Sequence, residues 1–167
     1  IASCLVGSEM CIRDRKSLSE IETISKRSTR AAGFSWGIAE EVGKNIRILE
    51  LFGLGGIINL NYYFKVKNKK KYEKLHLISS ENKISKSEFC PILVGLSFLD
   101  QVRSLEDLKE IKLEKLAFPI LFLPFVSRAS EIIGKKLELK IDSKTFLLNY
   151  NNSCLLYTSP SPRDKRQ

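Results

Sequence analysis

Trp36, Glu40 and Arg47 combine an indole, a carboxylate and a guanidinium at helical spacing. Successive helical residues advance by roughly 100°. On that wheel the three fall in line with Gly43, nearly opposite an apolar stripe of Ile38, Val42, Ile46, Leu49 and Phe52. Two readings follow. In one, the strip is an outer face that lines a ligand pocket or a partner surface. Glu40 then orients a donor and Arg47 grips an anionic group through two parallel hydrogen bonds. Arg30, Ser35, Glu41 and Lys44 stand close enough in sequence to contribute. In the other reading, Trp36 covers a helix–helix joint and Glu40 pairs with Lys44 at i,i+4, worth a few tenths of a kcal/mol. Gly43 costs about 1 kcal/mol relative to Ala inside a helix, so something must approach the backbone there. Glu41 and Asn45 flank the apolar stripe and are expected to be half-buried.

The remaining chemistry-bearing residues are sparser. His76 is the single histidine. It sits between two leucines with no acid at a triad-like spacing, so a loop or strand histidine is the expectation rather than a general base. Cys90 precedes Pro91 at a helix start, where a thiolate is favoured. A lone cysteine is more commonly a buried small hydrophobe. Gly53-Leu54-Gly55-Gly56 lacks the Gly-Lys-Ser/Thr of a phosphate loop. Lys65–Lys74 is rich in lysine, but Tyr72 is its one aromatic suited to base stacking. No cofactor and no metal site is expected.

The two ends are read separately. Cys154–Asp164, back-translated and reverse-complemented in another frame, gives the residues of Leu5–Asp14. One inverted DNA element therefore accounts for both ends, as a translated sequencing adaptor would. Residues 1–15 and 154–167 are expected to be adaptor-derived, non-native and poorly packed, and are set aside as fusion scars are. The expected domain is 16–153, a single α+β unit lacking a C-terminal part. It remains basic, although its Lys, Ile and Asn content is what an AT-rich genome supplies. Of the four cysteines only Cys90 falls inside it, which excludes an internal disulfide framework and a cysteine-based zinc site. The apolar run Leu116–Val126 is broken by Pro119 and Pro124 and is short of the roughly 20 residues of a membrane span.

These groups need elements to hold them. Ser17/Glu20 and Ser19/Glu22 are overlapping capping boxes. They open a helix whose inward set is Leu18, Ile21, Ile24, Ser28, Ala31 and Ala32, stopped by Gly33. Ser35 caps a second helix from Trp36 to Phe52, with Gly53 after it. Ile57–Val66 fits both periods; a helix is favoured, because two helices need a third to cover their shared apolar side. Lys65–Lys74 and Ser79–Glu88 read as a long loop. Pro91 opens a helix through Arg103, Lys115–Phe122 reads as a strand, and Phe125–Ile133 as a helix closed by Gly134. Leu137–Ile141 alternates as a strand, and Thr145–Tyr150 returns as its hairpin partner. The class is α+β: an N-terminal helical hairpin or bundle followed by a small antiparallel sheet.

Arg30-Ala-Ala-Gly-Phe-Ser-Trp-Gly-Ile-Ala-Glu-Glu-Val-Gly-Lys44, then Leu51-x-Gly53-Leu-x-Gly56, resembles the start of a bacterial domain-of-unknown-function family. Cys90-Pro91-Ile-Leu-Val-Gly95 and Leu123-Pro124-Phe125-x-x-Arg128-Ala129 are similar to its later landmarks. The resemblance implies no activity and no cofactor. The expected function is a small cytoplasmic accessory or binding protein with no catalytic machinery in this stretch, acting on a protein partner or small molecule and not at a membrane. The alternatives are a small-molecule-binding domain or enzyme using the Trp36/Glu40/Arg47 face, and nucleic-acid binding through the lysine loop.

Overall fold

The computed structural model describes residues 16–68, 71–82, 87–148 and 155–158. The first helix, α1 (Leu18–Ala31), starts in a complete capping box. The Glu20 amide donates to Ser17 Oγ at 3.2 Å, and the Ser17 amide donates to Glu20 Oε2 at 2.7 Å. Two orphan donors of the first turn are thereby satisfied. The overlapping Ser19/Glu22 box does not form, because Glu22 turns to Arg47 instead. Gly33 at φ 91° stops the helix. The second helix, α2 (Trp36–Leu51), follows; Ser35 is its N-cap by backbone shape, but its hydroxyl caps nothing.

The inward face of α1 differs from the expected one. Ile21, Ser25 and Thr29 are buried, while Ile24 is exposed. Small side chains win this face because α2 comes very close. Thr29 keeps its hydroxyl satisfied locally, donating to Ser25 O at 2.7 Å. The third element, α3 (Gly56–Lys67), is helical. Its buried positions Gly56, Leu60 and Tyr63 follow the helical period, and Ile58 and Tyr62 face solvent. Lys67 ties α3 back to the hairpin: Nζ donates to Ala32 O at 2.6 Å and lies 4.3 Å from the centre of the Phe34 ring. A cation is favourable there, at the carbonyl end of α1.

The expected loop carries more order than its composition suggests. Glu73, Phe89 and Leu116 lie side by side as parallel bridges, and β1 (Glu81–Asn82) pairs in parallel with β2 (Lys112–Leu113). The expected strand at Lys115–Phe122 is not there. Only Leu116 makes a bridge; Lys115 and Phe118 take positive φ, and Pro119–Leu121 is a 3₁₀ turn. Proline has no amide hydrogen to give a ladder, so the strand cannot extend past it. The helices α4 (Pro91–Gln101) and α5 (Leu123–Ile133) then pack together, and Gly134 closes α5 in a left-handed conformation.

A hairpin of β3 (Leu137–Ile141) and β4 (Lys144–Leu148) completes the domain. Ser130 Oγ, fully buried on α5, donates to Leu148 O at 3.2 Å and pins β4 to the helix. Leu155–Thr158, expected to pack poorly, forms β5 against β4, in the order β3-β4-β5. An unpaired strand edge takes up extended chain within reach. The core runs through Ile46, Leu49, Tyr63, Ile92, Leu123, Phe125 and Leu148. The architecture is α+β, helices first and an antiparallel sheet after them. Among the described residues no helix is long and apolar enough to cross a membrane.

Candidate functional site

Gly43 explains where the Trp36/Glu40/Arg47 strip lies. A Cβ at Gly43 would stand 2.8 Å from Glu22 O and 3.3 Å from Lys26 Cβ. The strip is therefore exposed along its edge but set against a second helix. It runs along the seam where α2 meets α1, with Gly43 buried in the seam and the three larger side chains emerging beside it. Arg47 Nη1 donates to Glu22 Oε2 at 3.1 Å across the seam. Glu40 meets Lys26 of α1 at 3.8 Å and Lys44 at 3.5 Å. Lys44 also reaches Glu41 at 3.5 Å. Glu40 and Arg47 stay about half-exposed, so these are surface ion pairs that clamp two helices. Such pairs are individually worth about 0–1 kcal/mol.

Glu41 sits lower on α2 and points to another element. It forms an ion pair with Arg128 of α5. Burial pushes its carboxyl up, but the hydrogen bond and charge of Arg128, helped by Lys44, outweigh that and hold it below its ordinary 4.5. Asn45, one turn on, is buried, and neither atom of its amide meets a hydrogen-bond partner.

Trp36 and Arg30 stand apart from this network. The indole is 58 % exposed. The Arg30 guanidinium lies 5.5 Å from its ring centre, and Arg30 Nη1 donates to Phe34 O at 2.8 Å. One donor anchors the guanidinium and the ring orients it, while other donors of the fork remain available. Ser35, exposed in the bend below, leaves its hydroxyl uncommitted as a cap. The sequence placed all seven candidates in one neighbourhood. The structure divides them: Glu40 and Arg47 stitch α1 to α2, Lys44 pairs with Glu40 and Glu41 along α2 itself, Glu41 reaches α5, and Arg30, Ser35 and Trp36 form the tip of the hairpin.

The other singled-out groups resolve into packing. Cys90 is buried at the N-cap of α4, its Sγ 3.0 Å from Tyr63 Oη and accepting from the Leu93 amide at 3.5 Å. Burial, then the neighbouring Cys90, pushes the Tyr63 phenol far above its ordinary range. His76 is exposed, and its carbonyl accepts from Gln101 Nε2 at 2.6 Å. Among the described residues no His, Cys, Asp and Glu cluster could hold a metal ion. A concavity of about 1080 Å³ lies elsewhere, between α4, α5, the 105–116 segment and β3. No single stretch of sequence announces it, because its walls come from four separate segments.

The fold and surface define a small α+β domain built on a tightly seamed helical hairpin. Residues 16–89 match the family model described as a protein of unknown function, DUF3726. That stretch contains α1, α2, α3 and β1. No curated protein matches the chain, and no solved structure does.

Proposed function

We propose that this protein is a cytoplasmic, non-catalytic binding module that engages a protein partner through the hairpin tip, with Trp36 and Arg30 as the anchor. The observation that carries the reading is the exposed indole held under an anchored guanidinium. An aromatic ring and an arginine are the residue types that dominate binding hot spots. Here both are ordered before any partner arrives, so less conformational freedom is lost on binding. A partner that fits would offer an apolar side chain to the indole and a carboxylate to the guanidinium. The ion pairs along the seam keep the tip rigid and are already committed to one another, which leaves the tip as the part with spare bonding capacity.

The test uses the chain's single tryptophan. Protein captured from a native host on the wild-type chain is purified and titrated back while Trp36 emission is followed. Binding should shift the emission to the blue. Trp36→Ala and Arg30→Ala should each weaken capture by about 30-fold, the size of a hot-spot loss. Both should leave the thermal midpoint nearly unchanged, since the side chains are at the surface. Undiminished capture by both variants, or substrate turnover by the purified chain alone, would discard the reading.

A further inference from the structure

The hairpin is covered unevenly. In an antiparallel pair, residues directly opposite share one face. Leu137 faces Leu148 and Leu139 faces Phe146. Leu148 and Phe146 are buried, whereas Leu137, Leu139 and Ile141 are only half-buried. α5 packs against both strands, yet the inward side chains of β3 are covered less completely than those of β4. The space that remains is the concavity of about 1080 Å³. Its opposite wall includes Val102 and Val126 and is stiffened by Phe98 and Phe122, whose rings meet edge-on at 5.5 Å. Pockets that bury drug-sized ligands span roughly 300–1,000 Å³, so the space has room for an alkyl chain.

The rim decides the sign of the head group. Three of its lysines are already neutralised: Lys135 by Glu106 at 2.7 Å, Lys140 by Glu138 at 3.4 Å and Lys112 by Glu110 at 3.9 Å. Lys109 and Lys136 line the same opening and have no carboxylate within ion-pair distance among the described residues. The one spare acid of the lining is Glu114. The opening thus has an apolar interior and a surplus of positive charge at its mouth.

We infer that the groove between β3 and the ends of α4 and α5 binds a free long-chain carboxylate, with the chain against Leu137, Leu139 and Val102 and the head at Lys109 and Lys136. This site is separate from the hairpin tip and does not depend on it. The apolar chain supplies most of the affinity, and the lysines discriminate by charge.

The full chain is titrated by calorimetry with decanoate, decan-1-ol and decyltrimethylammonium below their aggregation limits. Decanoate should bind tightest and the cation weakest. The double variant Lys109→Glu/Lys136→Glu changes only exposed residues and should weaken decanoate by about tenfold, the scale of two screened charge contacts reversed. It should leave decan-1-ol unchanged. A chain-labelled paramagnetic stearate should broaden the amide signals of Leu137–Ile141. Equal affinity for all three amphiphiles, no binding of any, an unaffected double variant, or broadening centred on the exposed Ile58 and Tyr62 instead would each overturn the assignment.

Discussion

Two neighbouring positions on α2 show how differently a polar side chain behaves when buried. Glu41 has its partner, Arg128, and its acidity is lowered as a result. A carboxylate with a depressed folded-state pKa adds stability above its ordinary 4.5 and loses it as pH falls through the lower, folded value. The wild type should therefore exceed Glu41→Gln by up to about 1 kcal/mol at neutral pH, a magnitude limited by partial exposure. That margin should shrink below pH 4.5; paired urea titrations at neutral and acid pH measure it. Asn45 has no partner for either amide atom and is lined by Val42, Leu60, Ile92 and Phe125. An unmet buried polar group costs about 1–3 kcal/mol, and an apolar residue of the same shape removes that cost. Asn45→Leu should raise stability by about 1 kcal/mol, read as a higher urea midpoint at constant slope. A lower midpoint would show that the amide is satisfied after all.

At the scale of elements, two helix pairs are set by glycine rather than by large side chains. Gly43 admits the Glu22 backbone of α1, and Gly95 of α4 admits the ring of Phe125 on α5, which a Cβ would overlap. Alanine gains about 1 kcal/mol of helix propensity over glycine, but forced overpacking costs roughly 1–3 kcal/mol. Gly95→Ala should be the worse of the two, because a packed aromatic ring has less room to yield than a solvent-edge helix. Denaturant melts should show both variants destabilised in that order. In α3 the burial of Gly56 against α2, of Leu60, and of Tyr63 against Cys90, Tyr72 and Phe118 chose the helical period over an equally visible alternation. The strand misread at Lys115–Phe122 failed for a local reason, the proline at its centre. The extended bridges of Glu73, Phe89 and Leu116 have no local signature, since each residue pairs with a distant one.

At the scale of the whole molecule, the helices and the β3–β4 hairpin share one core, and β5 pairs with β4 at the edge of the sheet. We propose that residues 16–153 are the domain and that the flanks 1–15 and 154–167 are translated adaptor. Removing 154–167 should move the thermal midpoint by less than about 4 °C, the shift expected for 1 kcal/mol in a chain of this size. Amide protection should fall along β4 alone; a general loss across the helices would make the tail part of the fold. By itself the sequence determined the helix starts and stops, the hairpin and the α+β order, because caps, proline, glycine and strand alternation act within a few residues. It also named the hairpin-tip residues, though not which of them were free. Only the tertiary structure decided that Glu40 and Arg47 are spent on holding helices together, that Glu41 belongs to Arg128, and that a groove lies open beside β3. Those outcomes depend on which distant surfaces meet, and no local pattern encodes the distance between two helices that a single glycine brings into contact.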